Sequence, residues 1–300
     1  MLRPFLRAWS RVVIVAAVAA TAGAQSPPYS PQAVSTALHW RYVGPVGNRV
    51  SSVAGVPGDP NTYYAGAASG GIWKTTDGGV HWAPIFDTQA VHSVGALAVA
   101  RTAPNIVWAG TGEPWIRSHI SVGDGIYKST DAGATWTNVG LPNSGRIGRI
   151  VIHPSNPDIV FVAAQGYSYG PQKDRGLYRT TDGGTTWMPE PLGGELFAIH
   201  LLPDGHGMCF VATSSDSLFV ERTDDAGATW RNVNNVNGTA WYYSQVRCDP
   251  TDAEHVYRLN ANSQESYDGG KTWQAFAMGG NVHSDSHGLW INPEDRDHIV

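Results

Sequence analysis

The chain has 300 residues, a formal net charge of −5 and only 15% charged side chains. An acidic chain without a basic run excludes nucleic acid and anionic membrane surfaces as partners. With 35 Gly, 19 Pro and 12 Trp beside just two cysteines, Cys209 and Cys248, the composition is that of a turn-rich protein of many short strands rather than a disulfide scaffold.

Met1 to Ala24 reads as a signal peptide. Arg3, Arg7 and Arg11 form a positive leader, Val12 to Ala20 a short apolar run, and Ala22-Gly-Ala24 a small-residue cleavage site. The apolar run falls short of the roughly 20 residues that span a bilayer, so a secreted or periplasmic protein without membrane insertion is expected. That segment carries three Arg and no acid, so its removal takes the charge from −5 to −8. Gln25 to His39 is Pro- and Ser-rich and reads as a flexible leader.

From Trp40 to Val300 one plan recurs. An alternating strand (Arg49 to Ala54) leads through a Pro/Gly/Asp turn into a second strand (Thr62 to Gly66). A loop and a third strand (Ile72 to Thr75) follow, then an Asp-centred turn and a short fourth strand near Trp82. The plan returns with Leu97 to Arg101, Ile106 to Gly110 and Gly125 to Ser129, and again with Ile150 to His153, Ile159 to Ala163 and Leu177 to Thr180. A fourth unit has Phe197 to Leu201 and Cys209 to Ala212; a fifth has Ser244 to Cys248 and His255 to Arg258. Gly288 to Asn292 and His298 to Val300 match the opening of a sixth.

The turns themselves nearly repeat. Thr75-x-Asp77-x-Gly79-x-His81-Trp82 is followed by copies centred on Asp131, Asp182, Asp225 and Asp268, each ending in Thr-Trp. A repeat of 43 to 54 residues with four strands each predicts the blades of an all-β propeller, five complete and the start of a sixth. A propeller left open there exposes raw sheet edges, so the chain is expected to be truncated at its C-terminus. The five Asp are assigned a structural role: a short acceptor bonds the backbone N–H groups of its own turn, Gly supplies positive φ, and Trp buries surface between blades. Calcium is not expected there, because each turn brings essentially one carboxylate whereas calcium takes 6 to 8 oxygens.

These octapeptides resemble the Asp-box, or BNR repeat, of sialidases, xyloglucanase-type glycoside hydrolases and the sortilin N-terminal propeller. Gly110-Thr-Gly-Glu113, Gly123 to Ser129 and His283 to Trp290 further resemble large exported bacterial proteins described as sortilin-like or glycosyl-hydrolase-like. The sialidase Arg-Ile-Pro motif does not occur, so the resemblance does not extend to that activity. Xyloglucanases of this type carry a catalytic Asp after the second strand of the first blade; the matching position here is Ala68.

In a propeller the Asp turns and the first-to-second-strand turns share one face, which leaves the longest and most varied loops on the other. That face is expected to hold the site. Its catalytic candidates are Glu113, Asp124 and Asp285; its ligand-binding candidates are Trp115, Arg117, His119, Tyr167, Tyr169, Trp241 and Tyr242. Rings stack on sugar faces and carboxylates bond hydroxyls. The plainer reading makes Trp115 and Tyr242 loop anchors and Glu113 a carboxylate that fixes its loop. His283, Asp285 and His287 alternate as metal ligands on one side of a strand would, yet hydrogen bonding accounts for them equally, and no metal or cofactor is expected. His153 and His200 are expected to be satisfied core residues. The function expected is a scaffold binding a carbohydrate or a protein or peptide ligand, with a polysaccharide-cleaving glycoside hydrolase as the alternative.

Overall fold

The computed structural model describes residues 49–115, 120–168, 172–190, 192, 195–202, 206–214, 217–237, 245–276, 286 and 288–300. The leader, and Arg117, His119, Tyr169, Trp241, Tyr242, His283, Asp285 and His287, lie outside them. Every regular element among the described residues is a strand.

Blade one contains β1 (Val50–Val56), β2 (Asp59–Ala67), β3 (Ile72–Thr75) and β4 (Ala83–Pro84). Blade two has β5 (Val94–Val99), β6 (Val107–Thr111), β7 (Ile126–Ser129) and β8 (Thr137–Asn138), and blade three β9 (Ile147–Ile152), β10 (Val160–Ala164), β11 (Gly176–Thr180) and β12 (Met188–Pro189). Blade four is β13 (Glu195–Leu201), β14 (Gly207–Ser214), β15 (Ser217–Thr223) and β16 (Arg231–Asn237). Blade five is β17 (Gln245–Asp249), β18 (Asp252–Leu259), β19 (Gln264–Ser266) and β20 (Gln274–Ala275), and a hairpin of β21 (Ile291–Asn292) and β22 (Asp295–Ile299) follows. Each four-stranded sheet is an antiparallel meander with its strands in chain order.

The first strand of each blade packs on the first strand of the next, β1 on β5, β5 on β9, β9 on β13 and β13 on β17. This makes them the inner strands of a ring of blades. The core is correspondingly divided, with one apolar cluster at each blade interface. Tyr64, Phe86 and Val107 meet between blades one and two, Trp108, Ile147 and Val160 between two and three, and Phe161, Ile199 and Leu201 between three and four. The turn tryptophans behave as expected: Trp136, Trp187, Trp230 and Trp273 are half-buried, each packing on the cluster shared with the preceding blade.

The repeated turn has one geometry in all five copies. In blade two the Ser129 hydroxyl donates to Asp131 Oδ1 (2.8 Å) and accepts from the Gly133 N–H (2.8 Å). Asp131 Oδ1 also accepts from the Thr135 N–H (2.8 Å), and Oδ2 from the Thr135 hydroxyl (2.6 Å). In blade one His81 Nδ1 replaces that hydroxyl, 2.7 Å from Asp77 Oδ2. Two successive residues take positive φ, not one as the sequence suggests. Ala132 (φ 58) and Ala226 (φ 57) adopt it without being glycine.

The glycine has a second duty. Gly184 lies so close to Trp108 of blade two that an added Cβ would come within 2.7 Å of its ring. Gly227 is pressed in the same way on Phe161 of blade three. A cation completes the joint. Lys74 donates to Ala132 O (2.9 Å) and Lys128 to Gly183 O (2.8 Å), each crossing to the turn of the following blade. Both lysines face an aromatic ring across their own sheet, Lys74 opposite Tyr64 and Lys128 opposite Trp108, and in blade three Arg179 stands opposite Phe161.

Candidate functional site

The two faces separate as expected. Gly78, Gly183 and Gly269 of the repeated turns donate to Asn61 O, Asp158 O and Glu254 O of the first-to-second-strand turns, which consolidates one face. The long connections after β6 and β10 and the link from β8 to β9 lie on the other.

Blade two's loop leaves β6 through Thr111-Gly112-Glu113. Gly112 (φ 88) comes close to the Gly145 carbonyl, while its N–H bonds Ser93 O (2.9 Å). Glu113 is turned inward, 3% exposed, and forms an ion pair with Arg49. Its N–H donates to Ser121 O (2.9 Å). Arg49 in turn accepts the Ala68 N–H on its carbonyl (2.9 Å). The side chain of Glu113 is thereby drawn to the first-blade turn that contains the buried Ala68.

Asp124 is half-buried in a second fixed arrangement. Its Oδ2 accepts from the Tyr127 hydroxyl (2.8 Å), and its N–H donates to Thr111 Oγ1 (2.9 Å). Burial, followed by the neighbouring carboxylate, holds the Tyr127 phenol above its ordinary range. Both described carboxylate candidates are therefore engaged by the protein itself, Glu113 by Arg49 at the start of blade one and Asp124 by Tyr127.

Arg146 joins two of the loops, a role the sequence did not reveal. It is 1% exposed, and its guanidinium donates from Nε to Gly166 O (2.7 Å) and from Nη1 to Pro114 O (3.4 Å). Trp115 follows Pro114 and Tyr167 follows Gly166, so a single buried cation positions the bases of both aromatic residues. Both rings remain outside, Trp115 37% and Tyr167 40% exposed. Gln172 closes the Tyr167 turn, accepting its N–H (2.8 Å) and donating to its carbonyl (3.1 Å), and Arg175 donates to the same carbonyl (2.6 Å). Nearby, Leu141 to Ser144, Asp174, Tyr178 and Trp187 line a hollow of about 200 Å³. An alternating pattern does not show which Arg turns inward, and Arg146 carried no sequence signal beyond its place at the start of a strand.

His200 is satisfied as expected, its Nδ1 accepting the Cys248 N–H (2.8 Å), whereas His153 is half-buried and accepts the Ser155 N–H (3.3 Å) within a turn. No group of three or more His, Cys, Asp or Glu suited to a metal occurs among the described residues, and no helix there is long and apolar enough to cross a membrane.

No protein-family model matches the chain. Among curated proteins it is similar to a xyloglucanase of Paenibacillus sp, 24% identical over 93% of this chain and 29% of the relative. A xyloglucanase of Hypocrea jecorina is likewise 24% identical, over 81% of this chain and 33% of the relative. The crystal structure of a GH74 enzyme from Niastella koreensis superposes with a TM-score of 0.63 at 21% identity, covering 83% of this chain and 43% of that one. The fold is a β-propeller. This propeller spans a third or less of the two curated relatives' length.

Proposed function

We propose that the protein is an exported glycoside hydrolase that grips a polysaccharide of the xyloglucan type across its loop face. The observation that carries this reading is the pair of exposed rings, Trp115 and Tyr167, whose loops are anchored by the same buried Arg146. Flat apolar faces held at fixed positions stack on sugar rings, and the sequence relatives are xyloglucanases. Export rests on the Met1–Ala24 segment. Since Glu113 is paired with Arg49 and Asp124 accepts from the Tyr127 hydroxyl, Asp285 is the carboxylate assigned first to the chemistry.

The second reading, a propeller that binds glycan without cutting it, draws on the buried Ala68 in the turn where the xyloglucanase resemblance calls for a catalytic Asp. One set of measurements separates the two. Xyloglucan is incubated with the full-length protein, released reducing ends are counted, and affinity is measured in parallel. Hydrolysis that Asp285→Asn abolishes while binding persists supports the enzyme. Binding without reducing ends supports the scaffold. Loss of one stacked ring in Trp115→Ala or Tyr167→Ala should weaken affinity about 2- to 13-fold, using roughly 0.5–1.5 kcal/mol per stacking contact. Unchanged affinity in both variants would refute the loop face as the site.

A further inference from the structure

The seams between blades one and two and between blades two and three are built alike but filled differently. Phe86, the second residue after β4, is fully buried at the first seam, its ring 5.1 Å from that of Tyr127 and 5.3 Å from that of Trp136, edge to face with both. At the second seam Tyr178 and Trp187 take the places of Tyr127 and Trp136: Tyr178 lies opposite Pro189 as Tyr127 lies opposite Asn138, and each Trp closes its blade's repeated turn. The residue corresponding to Phe86 is Gly140, the second after β8. The same bond sets both positions, from the Ile85 N–H to Ile72 O (2.9 Å) and from the Val139 N–H to Ile126 O (2.8 Å). The second seam thus keeps the aromatic pair without the ring that plugs it, and the hollow of about 200 Å³ bounded by Tyr178 and Trp187 is the result.

The opening is held rather than collapsed. Trp187 Nε1 donates to Val139 O (2.8 Å), which fixes the indole. At Gly140 (φ 123) even an added Cβ would come 3.0 Å from that ring. Leu141 takes a positive φ (55), a constrained state for a bulky residue. The turn it begins, closed by the Ser144 N–H to Leu141 O (3.0 Å), lines the hollow. The remaining wall is polar: the Asp174 carboxylate, the Asn143 amide and the hydroxyl of Ser144, a residue 2% exposed whose Oγ has no hydrogen-bond partner among the described residues. A phenyl ring like that of Phe86 would leave these groups without partners.

We propose that this hollow is a binding site for a single neutral sugar ring, lying where Phe86 lies at the preceding seam. The ring's apolar face would stack on Trp187 or Tyr178, and its hydroxyls would donate to Asp174 and exchange hydrogen bonds with Asn143 and Ser144. The volume falls below the roughly 300–1,000 Å³ of pockets for drug-sized ligands, so it admits one ring and not a chain. The site uses neither Trp115 nor Tyr167 and stands whether or not the protein cuts a polysaccharide.

The probes are the methyl pyranosides of glucose, galactose and xylose, titrated into the full chain and followed by saturation-transfer NMR, with phenol as a ring that lacks the sugar hydroxyls. The titrations are repeated on Trp115→Ala/Tyr167→Ala, so that loss of the loop-face rings is not mistaken for loss of this site. At least one pyranoside should bind saturably in both proteins. Asp174→Ala, checked for an unchanged melting temperature, should weaken that binding about tenfold or more, as expected when a charged hydrogen-bond acceptor is removed, while Asp174→Asn should retain part of it. Equal affinity in parent and Asp174→Ala, pyranoside binding that vanishes in Trp115→Ala/Tyr167→Ala, or binding of phenol alone overturns the site; so does the absence of any saturable binding.

Discussion

Replacing Gly184 by Ala puts the joint between blades two and three to a quantitative test. The new methyl faces two penalties. A φ of 94° is unfavourable for an L residue, at about 1–2 kcal/mol. The Cβ also lands 2.7 Å from the Trp108 ring, and Trp108 is fully buried against Trp187, so it cannot swing away. Overpacking of this kind costs about 1–3 kcal/mol, giving a combined loss of about 2–5 kcal/mol. Gly58 supplies the control: its φ is 80°, and nothing lies within 4 Å of an added Cβ. Gly58→Ala should therefore cost only the first part. Urea unfolding followed by tryptophan fluorescence measures both. Trp108→Phe removes the ring atoms nearest Gly184, so the double variant Gly184→Ala/Trp108→Phe should be more stable than the sum of its parts by 1 kcal/mol or more. Additivity within about 0.5 kcal/mol, or equal losses for Gly184→Ala and Gly58→Ala, would show that the turn glycine is required for its backbone alone.

The same turn predicts a stabilising change and a pH dependence. Ala132→Gly, at φ 58, should raise stability by about 0.5–1 kcal/mol net of the greater freedom glycine gives the unfolded chain, seen as a higher urea midpoint. Hydrogen bonds, the Thr135 and Thr186 hydroxyls foremost, hold Asp131 and Asp182 at about 2. Carboxylates lowered in the folded state contribute stability that is complete above the unfolded value near ~3.9 and is lost as the pH falls toward 2. Circular dichroism through an acid titration should show loss of the propeller confined to that window, and Asp131→Asn should flatten the decline there. Unfolding that begins above pH 5 would contradict it.

The blades were legible in the sequence because each carries its own punctuation. The Ser/Thr-x-Asp-x-Gly spacing marks every third strand's end, and β3 falls on the residues the pattern predicts, Ile72 to Thr75. In blade four the pattern failed to delimit the outer strands. β14 turns into β15 at a tight Ser214-to-Ser217 hairpin without the long loop that follows β6 or β10, and β16 runs seven residues where other fourth strands run two. The site was less legible, because its contacts cross blades. Glu113 looks like a catalytic carboxylate within its own loop, and only its partner Arg49, 64 positions earlier, shows it to be an inward ion pair. Lys74, Lys128, Arg179 and Arg222 stand one residue before each of the first four turns. Their periodicity was in plain view, but nothing local says that Lys74 and Lys128 bond carbonyls of the next blade or that Arg222 pairs with Glu254 of blade five.

The cation joint has a consequence for how such a protein can change. Lys74 and Lys128 grip main-chain carbonyls of the next turn, not its side chains. Any blade bearing the turn can thus dock on any blade bearing the cation, and units can be duplicated or exchanged without redesigning the seam. Blade five departs from this rule. Glu265 occupies the cation's place opposite Tyr257, and it contacts His255 and accepts from the Tyr267 hydroxyl (3.1 Å). A carboxylate repels a carbonyl oxygen, so blade five cannot trade places with its predecessors: its position in the order of blades is written into the chain.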